Sequence, residues 1–230
     1  MAGPTKPVPS NARVVIIGGG VMGCGIAYHL AHEGWTDIVL LEKHELTSGS
    51  TWHAAGQITQ STSSLALGKC VDYNIQLYNG GLEAETGQST TWHGCGSFRL
   101  AYDEDEMDWL RYTRSVNVAL GFNSELVLPA RVRELHPFYN LDGVVGALYT
   151  PDDGHVDPSG VTMALSKGAR QLGATVIRHS EQRTCSSCPL VSGASVLITV
   201  TLSASMWSTP RELTPARWVS GVESTSRPHR

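Results

Sequence analysis

A glycine-rich turn between a short apolar run and a helical segment is the feature that most constrains this chain. The segment ARVVIIGGGVMGCG carries Gly18, Gly20 and Gly23 in the spacing G-x-G-x-x-G. In a strand–turn–helix unit, the first glycine permits a tight turn, the second lets the backbone approach a pyrophosphate, and the third lets helix and strand pack closely. The helix start at Val21 and Met22 then presents free N–H groups to the phosphates. The spacing predicts a dinucleotide site, with an ordinary glycine turn as the alternative.

A second strand and an acidic residue extend the same pattern. We expect a helix through VMGCGIAYHLAHEG that ends just before Gly34, followed by a buried strand over DIVLLE. Strand, helix and strand in about thirty residues form a βαβ unit, whose two strands are parallel. Glu42 ends the second strand, where a carboxylate can accept hydrogen bonds from ribose hydroxyls, and Lys43 follows it at the same edge. These residues are compatible with either FAD or NAD as the bound dinucleotide.

Small residues dominate the loop TSGSTWHAAG, residues 47–56, a few positions after this strand. Small side chains let the backbone approach a ligand closely, so Gly56 is included in the predicted site. Ser50 and Thr51 offer hydroxyl groups, and His53 is placed to meet what lies beyond the phosphates. From composition alone, the favoured interpretation of a single histidine such as His53 is a hydrogen-bonded residue with a structural role. A cofactor-contacting imidazole is the alternative.

Beyond the loop, the sequence predicts a second, smaller unit before the chain returns to the first sheet. Asp157 is expected to cap the last helix of this region, and Leu67, Val71, Ile75 and Leu82 are expected core positions. Periodicity and turn residues predict helices over LALGKCVDYNIQLYNGGLEAETG, DEDEMDWLRYTRSVNVALG and DPSGVTMALSKGARQLGA, and strands in GCGSFRLAY, VVGALYTPDDG and ATVIRH.

The last segment differs in character from the rest of the chain. From about residue 184 it is rich in Ser and Thr and has little periodicity beyond SVLITV. A run of this length without clear elements is unusual in a compact domain. We expect residues 184–230 to form a poorly ordered or foreign tail, and residues 1–12 to form a mobile arm.

Composition and charge argue against several classes of protein. The chain has 230 residues, is 41% hydrophobic and carries a net charge of -4. This charge argues against nucleic acid as a partner, and no apolar run approaches the ~20 residues that a membrane helix needs. Five scattered cysteines fit a reducing compartment. Because the first residues have the features of neither a signal nor a transit peptide, we expect a cytoplasmic protein, with the mitochondrial matrix as the alternative.

Three long stretches, which together cover about residues 12–180, carry a resemblance to a known family. They are VVIIGGGVMGCGIAYHLAHEGWTDIVLLEKHELTSGSTWHAAG, LEAETGQSTTWHGCGSFRLA and GALYTPDDGHVDPSGVTMALSKGARQLGATVIRH. They resemble the N-terminal part of the dimethylglycine dehydrogenase and sarcosine dehydrogenase family, which are FAD-dependent amine oxidoreductases of the D-amino-acid-oxidase fold. The resemblance implies an α/β chain with an FAD-binding, Rossmann-like βαβ unit and flavin loop over residues 13–60. Residues 61–183 would hold the remainder of the FAD domain, interleaved with the beginning of an α+β substrate domain.

The resemblance also implies roles for individual residues. In that family the histidine of the Trp-His-Ala-Ala-Gly motif carries FAD covalently through the 8α carbon of the isoalloxazine, and by resemblance His53 is that residue. The substrate would be a small N-methylated amine, and the reaction an oxidative N-demethylation of an N-methylated glycine. The resemblance implies no metal, and no residue identifies the electron acceptor. His155 is a catalytic candidate beside the substrate cavity, with turn structure as the simpler explanation of its segment.

Two alternatives to this enzyme are open. Full-length members of the family continue well past this length, and the segment after residue 183 does not resemble them, so we expect a truncated chain. The first alternative is therefore a catalytically incomplete FAD-binding or regulatory fragment of the same family. The second is an NAD-dependent dehydrogenase that uses only the glycine motif. Whether this chain is an enzyme is left open by its sequence.

Overall fold

The computed structural model describes residues 9, 12–62 and 64–180, and the backbone of residues 195–200. Two short helical segments, a 3-10 helix at Ser50–His53 and a kinked segment at Leu77–Gly81, accompany the regular elements. In chain order, the regular elements are β1 (Ala12–Ile17), α1 (Val21–His32), β2 (Ile38–Leu41), β3 (Gln57–Ile58), α2 (Leu65–Gln76), α3 (Leu82–Thr86), β4 (Ser97–Ala101), α4 (Glu104–Ala119), β5 (Glu125–Val127), α5 (Pro129–Leu135), β6 (Gly146–Thr150), β7 (Gly154–His155), α6 (Pro158–Gln171), β8 (Thr175–Ile177) and β9 (Ser195–Val200).

The predicted βαβ unit is present at the start of the chain. β1 and β2 run parallel, with Val14 beside Ile38 and Ile17 beside Leu41. α1 connects the two strands and ends just before Gly34, which adopts a φ of +79°. Glycine tolerates this left-handed conformation because it has no Cβ, so the chain can reverse direction at the predicted position.

β8 and β9 extend this pair into a four-stranded sheet of order β8-β2-β1-β9. β8 pairs in parallel with β2, so the chain returns to the first sheet as the sequence predicts. β9 pairs antiparallel with β1. This part of the segment 184–230, which was expected to be a poorly ordered tail, therefore belongs to the sheet. The rest of that segment lies outside the described residues, as do residues 1–8, 10 and 11 of the expected arm, whereas Ala12, expected to belong to the arm, begins β1.

α1 and α6 pack against each other on one face of this sheet. Buried side chains of both helices, among them Tyr28 and Leu165, join those of β1 and β2 in one hydrophobic core. The helices approach closely at Gly168, where a Cβ would lie 2.8 Å from the Tyr28 ring. The Asp157 carboxylate caps α6 by accepting from the first backbone N–H groups of the helix, which confirms the predicted cap.

A three-stranded antiparallel sheet of order β4-β6-β5 forms the centre of the second unit. α4 packs on one face, where Leu110 joins Ala101 and Leu148 in a small core. On the other face, Val132 of α5 is buried with Ala147. The short antiparallel ribbon β3–β7 connects this unit to the loop that follows β2.

α2 and α3 bury most of the expected stripe, with one exception. Ile75 and Leu82 are buried as predicted and Val71 is half-buried, but Leu67 is 60% exposed. The close contact with the end of α4 falls instead on Gly68, where a Cβ would lie 2.2 Å from Cδ1 of Leu120. A hydrophobic pattern cannot mark this position, because glycine contributes no apolar side chain to it.

We expect Gly23→Ala to lower the free energy of unfolding by at least about 2 kcal/mol, because the added methyl group overlaps backbone atoms. The Cβ would lie 2.0 Å from the Gly18 carbonyl oxygen. Gly25→Ala on the same helix is the matched control, since its Cβ would approach only Cδ1 of Leu165, at 3.9 Å. Alanine favours a helix by about 1 kcal/mol, so this control should be neutral or stabilising. Chemical denaturation measures both, and equal effects would contradict the packing argument.

Candidate dinucleotide site

The glycine turn joins the end of β1 to the start of α1 with almost no spare volume. Gly18 has a φ of +107°, a conformation that favours glycine. Gly23 faces the Gly18 carbonyl so closely that only a hydrogen atom fits. Gly20 is the N-cap of α1 and supplies no side-chain cap, so the first N–H groups of the helix depend on other partners. The side chain of Met22, on the first turn, is 67% exposed.

Thr51 supplies the missing cap from the small-residue loop. Its hydroxyl oxygen accepts a hydrogen bond from the Val21 N–H at 3.0 Å. The same oxygen lies 2.8 Å from the position that a Cβ on Gly20 would occupy. Ser50, the neighbour of Thr51 in the 3-10 helix, is exposed. The fold thus brings the predicted turn and the predicted loop into direct contact, a contact that sequence spacing alone does not specify.

Glu42 connects the end of β2 to the same turn by a hydrogen bond. One carboxylate oxygen accepts from the Gly19 N–H at 2.6 Å, and the other accepts from the His44 N–H at 2.8 Å. Each carboxylate oxygen has a second lone pair, so these bonds leave acceptor capacity for a hydroxyl group. Lys43, the next residue, is exposed. Glu42 therefore orders the turn and keeps the acceptor capacity that the predicted ribose contact would require.

His53 ends the 3-10 helix and is exposed. Its imidazole lies against the indole of Trp52, with ring centroids 3.9 Å apart and an interplanar angle of 36°. The loop is fixed again three residues later, because Gly56 has a φ of +75° and a Cβ there would lie 2.2 Å from the Val156 carbonyl oxygen. Gly56 was predicted as close backbone for a ligand, but its contact with Val156 by itself requires glycine.

His155 lies on β7, opposite Gln57 of β3. Its ring is exposed and lies against that of His93, with centroids 4.9 Å apart and an interplanar angle of 36°. The backbones of the two histidines exchange both hydrogen bonds, at 2.9 and 3.0 Å. Trp92 packs against the main core. The His93–His155 pair was not predicted, because two residues so far apart in sequence carry no shared pattern.

Asp153 is fully buried and connects the ribbon to the second unit. Its carboxylate accepts from the Gln60 N–H at 2.7 Å and from the hydroxyl of Ser97 in β4. Desolvation raises the pKa of Asp153, against the opposing effects of these two donors and of the Arg99 guanidinium. Among the described residues, His, Cys, Asp and Glu side chains form no group of three or more that could hold a metal ion.

The turn and loop fit a dinucleotide. Backbone N–H groups at a helix start favour a pyrophosphate, and Gly20 lets the backbone approach it without a side chain in between. Around Gly49 a Cβ would meet nothing within 4 Å, and the loop from Trp52 to Ala55 is exposed. A flat ring system could therefore lie along the loop. These residues suit FAD, which has both a pyrophosphate and such a ring.

Comparison with known proteins identifies the family. Residues 13–215 match the family described as FAD dependent oxidoreductase, DAO, so the chain belongs to that family. The match includes β9, which lies in the segment that was expected to be foreign to the family. Family membership decides between the FAD and NAD alternatives in favour of FAD.

Three relatives place the chain more closely. It is 45% identical over 163 residues to dimethylglycine dehydrogenase, mitochondrial, of Rattus norvegicus, covering 71% of this chain and 19% of that protein. It is 39% identical over 177 residues to human sarcosine dehydrogenase, mitochondrial, covering 77% and 19%. It is 41% identical over 169 residues to the mouse pyruvate dehydrogenase phosphatase regulatory subunit, mitochondrial, covering 74% and 19%. The chain thus spans about a fifth of the length of these relatives.

A solved structure confirms the fold. L-proline dehydrogenase from P. horikoshii superposes with a TM-score of 0.69 and 27% identity, over 75% of this chain and 45% of that one. The D-amino-acid-oxidase type of FAD-binding fold, expected from the resemblance, is therefore confirmed. None of the helices within the described ranges combines the length and the apolar composition needed to cross a membrane.

We expect Thr51→Val to lower the free energy of unfolding by about 1 kcal/mol, because the first turn of α1 loses its only side-chain acceptor identified within the described residues. Valine keeps the shape of threonine but cannot accept the Val21 N–H. Thr51→Ser keeps the hydroxyl and is the control that should retain most of the parent stability. If the serine and valine variants unfold at the same denaturant concentration, Thr51 is not a cap.

We expect ionisation of Asp153 to destabilise the fold. Its raised pKa means that the folded chain holds this proton more tightly than the unfolded chain, so its contribution to the free energy of unfolding falls as the pH rises above about 3.9. Asp153→Asn removes this slope, so the stability of the variant relative to the parent should increase from about pH 4 to about pH 7. Denaturation at several pH values measures the difference, with exposed Asp142→Asn as the control. A constant difference for Asp153→Asn would contradict the expected cost of charge burial.

Proposed function

We propose that this chain forms the FAD-binding part of an oxidoreductase of the dimethylglycine and sarcosine dehydrogenase type, which demethylates N-methylated glycines oxidatively. One observation carries the proposal: Thr51 holds the loop that contains His53 against the start of α1, beside the glycine turn. A loop in this position can follow a dinucleotide from its pyrophosphate toward its flavin ring. The names of two relatives, each similar over more than two thirds of this chain, support a small N-methylated amine as substrate.

The proposed division of labour follows the contacts of the turn. The hydroxyl oxygen of Thr51 accepts from Val21, which leaves its own proton free to donate to a phosphate oxygen. The free lone pairs of Glu42 would accept from ribose hydroxyls. The glycines and the loop would orient the isoalloxazine and hold it in place. When bound, FAD supplies the redox chemistry by accepting a hydride equivalent from the N-methyl group.

We further propose that His53 carries FAD covalently, through a bond between an imidazole nitrogen and the 8α carbon. Two contacts support this. Thr51 fixes the loop on one side of His53, and Gly56 fixes it on the other side through Val156. A reactive group needs such support, because it must be held within a fraction of an ångström of its working position. The bond would replace one N–H of the imidazole and one C–H of the methyl group, and dioxygen would accept the two electrons and two protons as hydrogen peroxide.

We expect His53→Ala to release flavin that stays with the parent protein after acid precipitation. The measurement is the visible absorbance of the pellet and of the supernatant. The exposed His136, at the end of α5, provides the control variant His136→Ala, which should keep the flavin in the pellet. Flavin that is fully extractable from the parent would contradict the covalent bond while leaving FAD binding intact.

A second candidate function is a catalytically incomplete fragment that binds FAD in a regulatory role. It is favoured by the 41% identity to a regulatory subunit. Anaerobic mixing of the flavin-loaded chain with sarcosine or dimethylglycine separates the two functions. Bleaching of the flavin absorbance supports the oxidoreductase, whereas bound flavin that neither amine reduces supports the regulatory fragment.

We also propose the mitochondrial matrix rather than the cytoplasm as the location of this protein. The expectation from the sequence was cytoplasmic, with the matrix as the alternative. The three relatives described above all carry the word mitochondrial in their names, which supports the alternative. Fractionation of cells that produce the protein at its natural level tests the location, and recovery in the cytosolic fraction would contradict it.

A further inference from the structure

His93 and His155 form a pair that belongs neither to the predicted FAD site nor to the core. Their backbones exchange both hydrogen bonds, at 2.9 and 3.0 Å, so the two residues lie directly opposite each other in an antiparallel bridge. Directly opposite residues project from the same face, with their Cβ atoms about 4.5–5.5 Å apart. Both side chains are exposed. The backbone therefore presents two imidazoles side by side to solvent.

The spacing of the two rings matches that of a metal chelate. Zinc binds imidazole nitrogens at about 2.0–2.1 Å in near-tetrahedral geometry, which places the centroids of two ligating rings about 5 Å apart. The observed separation of the centroids is 4.9 Å. The interplanar angle of 36° is neither the parallel nor the perpendicular arrangement that aromatic pairs favour. Ring packing alone therefore does not account for the pair.

The ring nitrogens of this pair have no competing partner within the described part of the chain. The histidine rings that form hydrogen bonds there are those of His29, with Tyr73, and His179, with Glu45. The nitrogens of His93 and His155 are therefore available to a ligand. A neutral imidazole keeps one nitrogen lone pair, which is the donor that a metal ion needs.

Gln57 of β3 extends the pair to a row of three side chains. It lies opposite His155 on the side away from His93, and it is also exposed. Its side chain therefore projects from the same face as the two imidazoles. Zinc takes its ligands from nitrogen, sulfur and carboxylate oxygen, so the amide of Gln57 suits a second role. Its oxygen can accept a hydrogen bond from a water molecule bound to the metal.

The types of ligand decide which cations fit the pair. Mg²⁺ and Ca²⁺ prefer several oxygen ligands, which two imidazoles do not supply. Imidazole suits zinc, copper and nickel. Among the described residues, no third His, Cys, Asp or Glu side chain completes a metal group. Water would therefore fill the remaining coordination positions, which makes the site an open one.

We propose that His93 and His155 form an open two-histidine site for a divalent transition-metal ion, with zinc as the ion. The site goes beyond the proposed oxidoreductase activity, because the family resemblance implies no metal and neither histidine belongs to the predicted FAD site. Bound zinc would connect β7 to the segment before β4 through the two side chains. Binding does not require FAD.

Titration of the full chain with zinc chloride, followed by NMR, tests the proposal. The ring C–H resonances of the two histidines are assigned by their loss in His93→Phe and in His155→Phe. In the parent, both rings should shift saturably and with the same Kd, because one ion binds both. Magnesium chloride at the same ionic strength should shift neither ring. Rings that do not respond to zinc, that respond with different Kd values, or that respond equally to both salts would overturn the proposal.

The same two variants test whether the rings act together. Phenylalanine keeps an aromatic ring beside the remaining imidazole but has no nitrogen, so the remaining histidine should bind zinc at least about tenfold more weakly than the pair does. His136→Phe, which replaces an exposed histidine at the end of α5, is the control and should bind like the parent. Parent-like zinc affinity of the remaining ring in both pair variants would overturn the proposal. His53→Ala should bind zinc normally, so a failure of flavin attachment cannot be mistaken for a failure of this site.

Discussion

The contact between Gly23 and the Gly18 carbonyl oxygen is the constraint on which the arrangement of the site depends. Because nothing larger than hydrogen fits there, the start of α1 lies directly against the end of β1. This position brings the first turn of α1 within reach of Thr51, and the turn itself within reach of Glu42. The end of β2 and the loop after it therefore both contact the glycine turn. Glu42 accepts from the Gly19 N–H, and Thr51 accepts from the Val21 N–H.

Much of the first unit could be predicted because its signals are local. The glycine spacing indicated the turn, the β-branched runs indicated β1 and β2, and Asp157 indicated the start of α6. The second unit was predicted less completely. β3 and β7 have two residues each, too few for any periodicity to appear, and β5 has three. α5 begins at Pro129 and has seven residues, which is also short for a helical pattern to be recognised.

The features of the site that escaped prediction are contacts between distant segments. A sequence pattern indicated that Asp153 lies in a turn, but not that it receives hydrogen bonds from Gln60 and Ser97. The ring contact between His93 and His155 and the cap that Thr51 places on α1 are also long-range. The family resemblance proposed a role for His53 that residue chemistry alone did not favour. Local physics thus predicted the scaffold, whereas the pairing of its loops required the three-dimensional structure.

The position of β9 has a consequence for the behaviour of the chain in solution. β1 has the sequence ARVVII, and β9 pairs with it from Ala12 to Ile17. An unpaired apolar strand at the edge of a sheet is a template for association with other chains. With β2 on one side and β9 on the other, the backbone of β1 has partners along both edges. β9 therefore covers the edge of β1 beside the nucleotide turn, and removal of residues 195–200 would leave that edge without its backbone partners.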